Sequence, residues 1–208
     1  MTESTTGDPL PDGVRLWLVR HGETEWSKAG KHTGVTDLPL TARGEAQAAA
    51  LAPLLADVRP ALVLASQRAR AQHTAKLAGL QVDEIDPDLA EWDYGDYEGL
   101  TSREIRQTVP GWTLLTHGVP NGETAEQVRV RADRVLARAR AALAQGPVVL
   151  VGHGHFSRVL GARWIGLPVA GAANLLLGAA SASTLSAQYG VPTLRNWNLP
   201  NPENEGDR

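Results

Sequence analysis

A chain of 208 residues with 20 Lys+Arg against 23 Asp+Glu carries a formal net charge of −3, and 42% of its residues are hydrophobic. A chain this long buries about 70% of its unfolded surface, so a self-sufficient core is expected, and the near-neutral charge argues against nucleic acid as a partner. There is no cysteine, which removes disulfide scaffolds, thiolate zinc sites, iron–sulfur ligation and cysteine nucleophiles together.

Met1 to Gly13 holds Glu3, Asp8 and Asp12 and no apolar run, so residues 1–13 read as a flexible tail rather than a signal peptide, and a cytoplasmic location is expected. Val14 to Val19 predicts a buried strand that feeds Arg20, His21 and Gly22 into a loop. Thr41 is placed to cap a helix running to about Leu55, before Arg59 and Pro60 break it. Leu62 to Ala65 predicts a second strand ending at Ser66, Ala69 to Leu77 a helix, and Gln81 to Ile85 a third, more exposed strand. Thr101 and Thr124 each stand three residues before a Glu or Gln, the spacing of a capping box. The first opens a short helix that stops near Pro110. The second opens the longest helix, to about Ala144, with Val128, Val135, Leu136, Ala139 and Leu143 on one face. Its arginines, Arg129, Arg131, Arg134, Arg138 and Arg140, are expected on a solvated face. Val148 to Val151 predicts a fourth strand, followed by Gly152, His153, Gly154 and a helix from about His155 to Ile165. Trp164 to Leu194 is uncharged for 31 residues, but Pro168, Asn174, Gln188 and Pro192 interrupt it, so it reads as loop and strands and not as a membrane span. Thr184 to Tyr189 and Thr193 to Trp197 pair around Gly190, and residues 199–208 read as a second flexible tail. The whole predicts one α/β domain over 14–198, a three-layer α/β/α sandwich whose mostly parallel central sheet is flanked by helices.

Ligands of such sheets bind beyond the carboxyl ends of the strands. The loops there carry Arg20, His21 and Thr24, then Ser66, Arg68 and Arg70, then His153 and His155. Arginine forks match the oxygens of a phosphoryl group and balance a dianion without a metal. A neutral imidazole among them, with a free pKa of roughly 6.5, can attack phosphorus. Leaving-group protonation then needs a carboxyl, and Glu91, Asp93, Asp96 and Glu98 are the candidates after the third strand, Glu91 preferred for its place just past Leu89 and Ala90.

Arg20-His21-Gly22-Glu23-Thr24 and Thr36-Asp37-Leu38-Pro39-Leu40-Thr41 resemble the signature of the histidine phosphatase superfamily, which includes phosphoglycerate mutases. Ser66 through Arg70 with Ala71, Thr74 and Ala75 resembles its second arginine motif, and Leu89-Ala90-Glu91 with Gly95, Glu98 and Gly99 resembles its acid loop. Gly122-Glu123-Thr124, then Val151-Gly152-His153-Gly154 with Arg158, complete the order. The resemblance implies that His21 is phosphorylated, that Arg20, Arg70 and His153 hold the phosphoryl oxygens, and that Glu91 protonates the leaving group and then activates water. It implies substrate contacts from His32, Thr33, Gly34, Glu123, Thr124 and Gly154. Ser27 stands where the family usually has Asn, so a hydroxyl replaces a phosphate-facing amide there. Trp26-Ser27-Lys28 and Glu91-Trp92-Asp93-Tyr94-Gly95 are most similar to the small-molecule, sugar-bisphosphate or acid phosphatases of the family. The expected partner is a small phosphorylated metabolite, with no cofactor, no metal and no membrane, and a homodimer is left open.

The segment from Glu91 to His153 spans only 62 positions, shorter than the insertion that shields the phosphohistidine in mutases of the family, so transfer to water is favoured over a bisphosphate-primed mutase. A non-catalytic phospholigand-binding module is the other alternative, and it would need the arginines without His21 and Glu91. His153 and His155 lack a third ligand for a metal, and His155 is expected in a structural role at a helix start. Gly152-His153-Gly154 lacks the third glycine of a dinucleotide fingerprint.

Overall fold

The computed structural model describes residues 10–204. Strands β1 (Leu16–Arg20), β2 (Leu62–Ala65), β3 (Glu84–Ile85), β4 (Val148–Gly152), β5 (Ala182–Gln188) and β6 (Val191–Leu199) form one sheet in the order β3-β2-β4-β1-β5-β6. The pairs from β3 to β1 are parallel, and β5 and β6 add antiparallel pairs at one side. The helices are α1 (Glu25–Lys28), α2 (Ala42–Ala49), α3 (Ala52–Leu55), α4 (Ala69–Leu77), α5 (Ser102–Thr108), α6 (Leu114–His117), α7 (Ala125–Ala142) and α8 (Gly154–Trp164).

Alternation along the strands divides the core in two. Leu16, Leu18, Leu64, Val148 and Leu150 pack with Val135, Leu136, Phe156 and Leu160 of α7 and α8. Trp17, Val19, Val63, Ala65, Val149 and Val151 pack on the opposite face with Leu51, Leu55, Ala71 and Ala75. Both faces of a parallel sheet must be covered, which is why these strands are continuously apolar rather than alternating with polar residues. Each Leu or Val so buried contributes about 1.5–3 kcal/mol, and the two layers fix the sheet against which the loops are held.

The capping boxes form as expected, Thr101 with Glu104 and Thr124 with Gln127. The helix expected from Thr41 to about Leu55 is broken instead into α2 and α3, because Pro53 lacks the N–H that would continue the ladder. Only Glu84 and Ile85 of the expected third strand pair with β2. The expected tails are shorter than the sequence suggests. Leu10 is 8% exposed in the larger core cluster, and Gly13 N donates to Ala187 O at 3.2 Å. Asn201, 3% exposed, donates to Gln47 O and Ala180 O, and Asn204 donates to Ala179 O. These hydrogen bonds, with the burial of Leu10 and Asn201, anchor the described ends; residues 1–9 and 205–208 lie outside the described residues.

Candidate active site

Parallel register places the three key loops side by side. Arg20 pairs with Gly152 and Ala65 with Val151, so β1, β4 and β2 end at one height and release His21, His153 and Ser66 together. Ser66 Oγ lies 2.7 Å from His153 Nε2, and the rings of His21 and His153 are 5.2 Å apart. His21 Nδ1 lies 2.7 Å from Gly22 O. A carbonyl only accepts, so Nδ1 carries the proton and Nε2 keeps its lone pair. Burial, then the charges of Arg70 and Arg20, hold the His21 pKa well below 6.5. Burial and Arg70 do the same to His153. Both imidazoles are therefore neutral at neutral pH.

Arg70, in the first turn of α4, is 0% exposed. It donates Nη1 to Thr36 O at 2.8 Å and Nη2 to Thr33 O at 3.1 Å. Glu98 grips the same segment from its amides, accepting from Gly34 N at 2.9 Å and Thr36 N at 3.0 Å. A side chain on Gly34 would place Cβ 2.3 Å from Trp92 O, so glycine is needed there for close approach. Arg20 donates Nη1 to Leu177 O at 2.5 Å. The Nε atoms of Arg20 and Arg70 and Nδ1 of His153 are buried with no protein partner; the arginine N–H groups suit the oxygens of a bound anion, and Nδ1 joins them as a donor in the tautomer whose Nε2 accepts from Ser66 Oγ.

The Glu91 carboxylate is held by backbone donors: Trp92 N and Phe156 N to Oε1, at 2.9 and 2.8 Å, and His155 N to Oε2 at 2.9 Å. Two of these amides belong to the first turn of α8, where backbone N–H groups have no partner within the helix and need an acceptor. A cavity of about 280 Å³ is lined by Arg20, His21, Ser27, His32, Thr33, Glu91 and Gly154 of the expected site residues. Arg70 and His153 do not line it; both are fully buried, and the His153 ring stands 5.2 Å from that of His21, which does.

Several residues take other roles. Gly34 does not line the cavity; it carries the clamp between Arg70 and Glu98. Ser27 reaches the cavity wall, but its hydroxyl donates to Thr24 O and accepts from Thr24 N, closing the capping box of α1. Glu123, expected at the substrate, is not among the residues lining the cavity; its carboxylate accepts from Arg131 Nε and Nη2 at 2.8 and 2.7 Å and from Asp93 N at 3.0 Å. Thr124, also expected at the substrate, is the N-cap of α7. The arginines of α7 are not a simple solvated face. Arg134 pairs with Asp88, Arg138 with Glu84 and Asp86, and Arg131 is 12% exposed.

The cavity also takes in residues that sequence reasoning did not assign: Lys31, Tyr94, Ser102, Arg158 and Leu177, and His155, whose role was expected to be structural. Tyr94 OH lies 2.7 Å from His155 Nδ1, and burial raises the tyrosine pKa well above 10 and lowers that of His155 well below 6.5. His32 Nε2 lies 3.2 Å from Ser102 Oγ. Tyr94 and Arg158 stand inside motifs already quoted for the resemblance, which is the signal that could have found them; Ser102 and Leu177 have none. Among the described residues, no three His, Cys, Asp or Glu side chains are grouped to hold a metal ion, and positive charge at the cavity wall comes from Arg20, Arg158 and Lys31.

Residues 16–200 match the family described as the histidine phosphatase superfamily (branch 1). The chain is 45% identical over 182 residues to an acid phosphatase of Mycobacterium tuberculosis, covering 86% of this chain and 90% of that one. It is 35% identical over 186 residues to the sedoheptulose 1,7-bisphosphatase of Saccharomyces cerevisiae, covering 74% and 69%. A solved structure of an open reading frame product from Mycobacterium tuberculosis superposes with a TM-score of 0.88 at 44% identity, covering 91% of this chain and 99% of that one. With His21, Arg20, Arg70, Glu91 and His153 gathered at the carboxyl end of the sheet, the chain belongs to the histidine phosphatase superfamily, branch 1.

Proposed function

We propose that this phosphatase hydrolyses small phosphate monoesters, sugar bisphosphates among them, through a phosphohistidine at His21 and without a metal. One observation carries the reading: His21 Nδ1 is committed to Gly22 O while the ring is kept neutral by burial and two arginines. Nε2 of His21 attacks phosphorus, the bond from phosphorus to the leaving oxygen breaks, and Glu91 gives that oxygen its proton. Arg20, Arg70 and His153 hold the three remaining oxygens as charge shifts onto them. The Glu91 carboxylate then takes a proton from water, the water oxygen attacks phosphorus, and the P–Nε2 bond breaks. Inorganic phosphate leaves and His21 is neutral again. The acid phosphatase and sedoheptulose 1,7-bisphosphatase relatives support a small phosphorylated substrate, and cationic Lys31 and Arg158 on the cavity wall suit a leaving group with an anion of its own.

The test is phosphate release, in the presence of chelator, from p-nitrophenyl phosphate, 3-phosphoglycerate, fructose 1,6-bisphosphate and sedoheptulose 1,7-bisphosphate. The wild type should turn over at least one of these and form an acid-labile phosphoprotein, and His21→Ala should lose both. Turnover retained by His21→Ala, or abolished by chelator, refutes the proposal.

A further inference from the structure

We infer that Arg131 and Glu123, an ion pair outside the cavity, are positioning residues that set the Glu91 carboxyl for proton transfer; the inference rests on the acid role of Glu91 proposed above. Arg131 sits about two turns along α7, on a side chain only 12% exposed. Its Nη1 donates to Asp88 O at 2.6 Å and Ala90 O at 2.9 Å, and its Nη2 to Glu91 O at 3.4 Å. The same guanidinium makes the bidentate pair with Glu123. Glu123 in turn holds the chain on the far side of the acid: its carboxylate accepts from Asp93 N, its backbone carbonyl accepts from Trp92 Nε1 at 2.8 Å, and its amide donates to Asp93 O at 3.0 Å. The backbone before Glu91 is thus tied to Arg131 and the backbone after it to Glu123.

The carboxylate itself is referenced to the same pair. Arg131 Cζ lies 4.3 Å over the ring of Phe156, and Phe156 N is one of the donors to Glu91 Oε1. A guanidinium has the planar fork and the number of donors to serve three carbonyls and a carboxylate at once while stacking on an aromatic face; an ammonium does not. All five N–H groups of Arg131 are taken by Glu123 and three backbone carbonyls, and Glu123 is an acceptor already filled by Arg131 and Asp93 N, so neither has a donor to spare for the phosphoryl group. Their loss should therefore be felt where the acid matters and not where it does not.

Arg131→Lys and, separately, Glu123→Gln are assayed by kcat/KM, which reports formation of the phosphohistidine, on two monoesters. Glycerol 2-phosphate has a strongly basic leaving oxygen that needs the proton; p-nitrophenyl phosphate has a leaving group that departs without it. General acid catalysis is worth about 10²–10⁴. Misplacing the acid should lower kcat/KM for glycerol 2-phosphate roughly 10- to 100-fold in Arg131→Lys and that for p-nitrophenyl phosphate by less than about 3-fold. Glu123→Gln should split the substrates in the same direction, and it decides the matter if Arg131→Lys fails to fold. Added to Glu91→Gln, neither change should cost glycerol 2-phosphate turnover further, since the group they position is already gone. Equal losses on both substrates, no loss on either, or additive losses in the double variants overturn the inference. If Glu91→Gln itself does not split the two substrates, the acid assignment fails and the inference falls with it. A split in Glu91→Gln without one in Arg131→Lys or Glu123→Gln overturns the positioning role alone.

Discussion

Lowering the pH from 7.5 to 5.5 should weaken the fold through the buried imidazoles of the site before the carboxylates titrate. His21 and His153 are 5% and 0% exposed, and each is held well below 6.5 by burial first and by arginine charge second. In the unfolded chain both titrate near 6.5. Because the folded values lie below the unfolded ones, the unfolded state binds more protons as the pH falls. The stability is fully present above the unfolded value and is lost progressively from there down to the folded values. While both rings stay neutral in the native state, each loses about 1.4 kcal/mol over this interval, so the pair loses about 3 kcal/mol. His155 and His32, shifted in the same direction by burial, add to the loss. Asp88, held down by its hydrogen bond to Arg134, is depressed in the folded state and weakens the fold only nearer pH 4, outside the interval. Total stability of a domain is about 5–15 kcal/mol, so the change is large enough to read. Urea unfolding at pH 7.5, 6.5 and 5.5 measures it, with proton uptake on unfolding followed by calorimetry in two buffers. Replacing one titrating ring, as in His21→Gln, should reduce the slope by about one proton's worth. Stability that stays flat to pH 5.5, or unfolding without proton uptake, refutes the argument.

Thr124→Ala should lower stability by about 1 kcal/mol, the usual cost of an N-cap, and leave kcat/KM unchanged; a fall in kcat/KM would return Thr124 to the substrate. Gly34→Ala forces a Cβ to 2.3 Å from Trp92 O, so the segment under Arg70 must move, at a cost of about 1–3 kcal/mol. Thermal melting should show that loss together with a raised KM, and an unchanged KM would mean that the clamp does not set Arg70.

Much of the frame is legible in the sequence. Leu62–Ala65 and Ala69–Leu77 are read at their observed bounds, because a short apolar run followed by a helix-forming run leaves little ambiguity. Thr101 and Thr124 mark their helices because a capping box is a local interaction, complete within a few residues. The residues on the cavity wall come mainly from the resemblance, and its blocks do not distinguish a side chain that faces the cavity from one that supports it. Glu123 and Thr124 share a motif with the site and yet tie down a helix and a loop. Arg131 shows the converse. Helical periodicity places it among polar positions, but its partners lie at Asp88, Ala90 and Glu91, and nothing in the sequence of α7 states what will pack over that turn. The hydrogen bond between Tyr94 and His155, across 61 positions, is invisible for the same reason. Long-range side-chain contacts are set by packing, not by pattern.

The buried donors of the site make a last, independent demand. Arg20 Nε, Arg70 Nε and His153 Nδ1 have no protein partner, and a buried polar group left unpaired costs about 1–3 kcal/mol. A tetrahedral oxyanion satisfies these donors and balances Arg20 and Arg70 at once, so inorganic phosphate should stabilise the folded chain even though it is only the product. At a concentration 100 times its dissociation constant the gain is about 2.7 kcal/mol, which for a domain of this size raises Tm by roughly 5–10 °C. Orthovanadate should do so at lower concentration, because it can accept His21 Nε2 as a fifth ligand and so approach the geometry of transfer. His21→Ala should keep most of the phosphate effect, since the arginines remain, and lose the advantage of vanadate over phosphate. The comparison is made against chloride at equal ionic strength, so that general screening is removed. A Tm that phosphate moves no further than chloride does would mean that these donors do not converge on an anion. A vanadate advantage that survives in His21→Ala would mean that Nε2 is not the attacking atom.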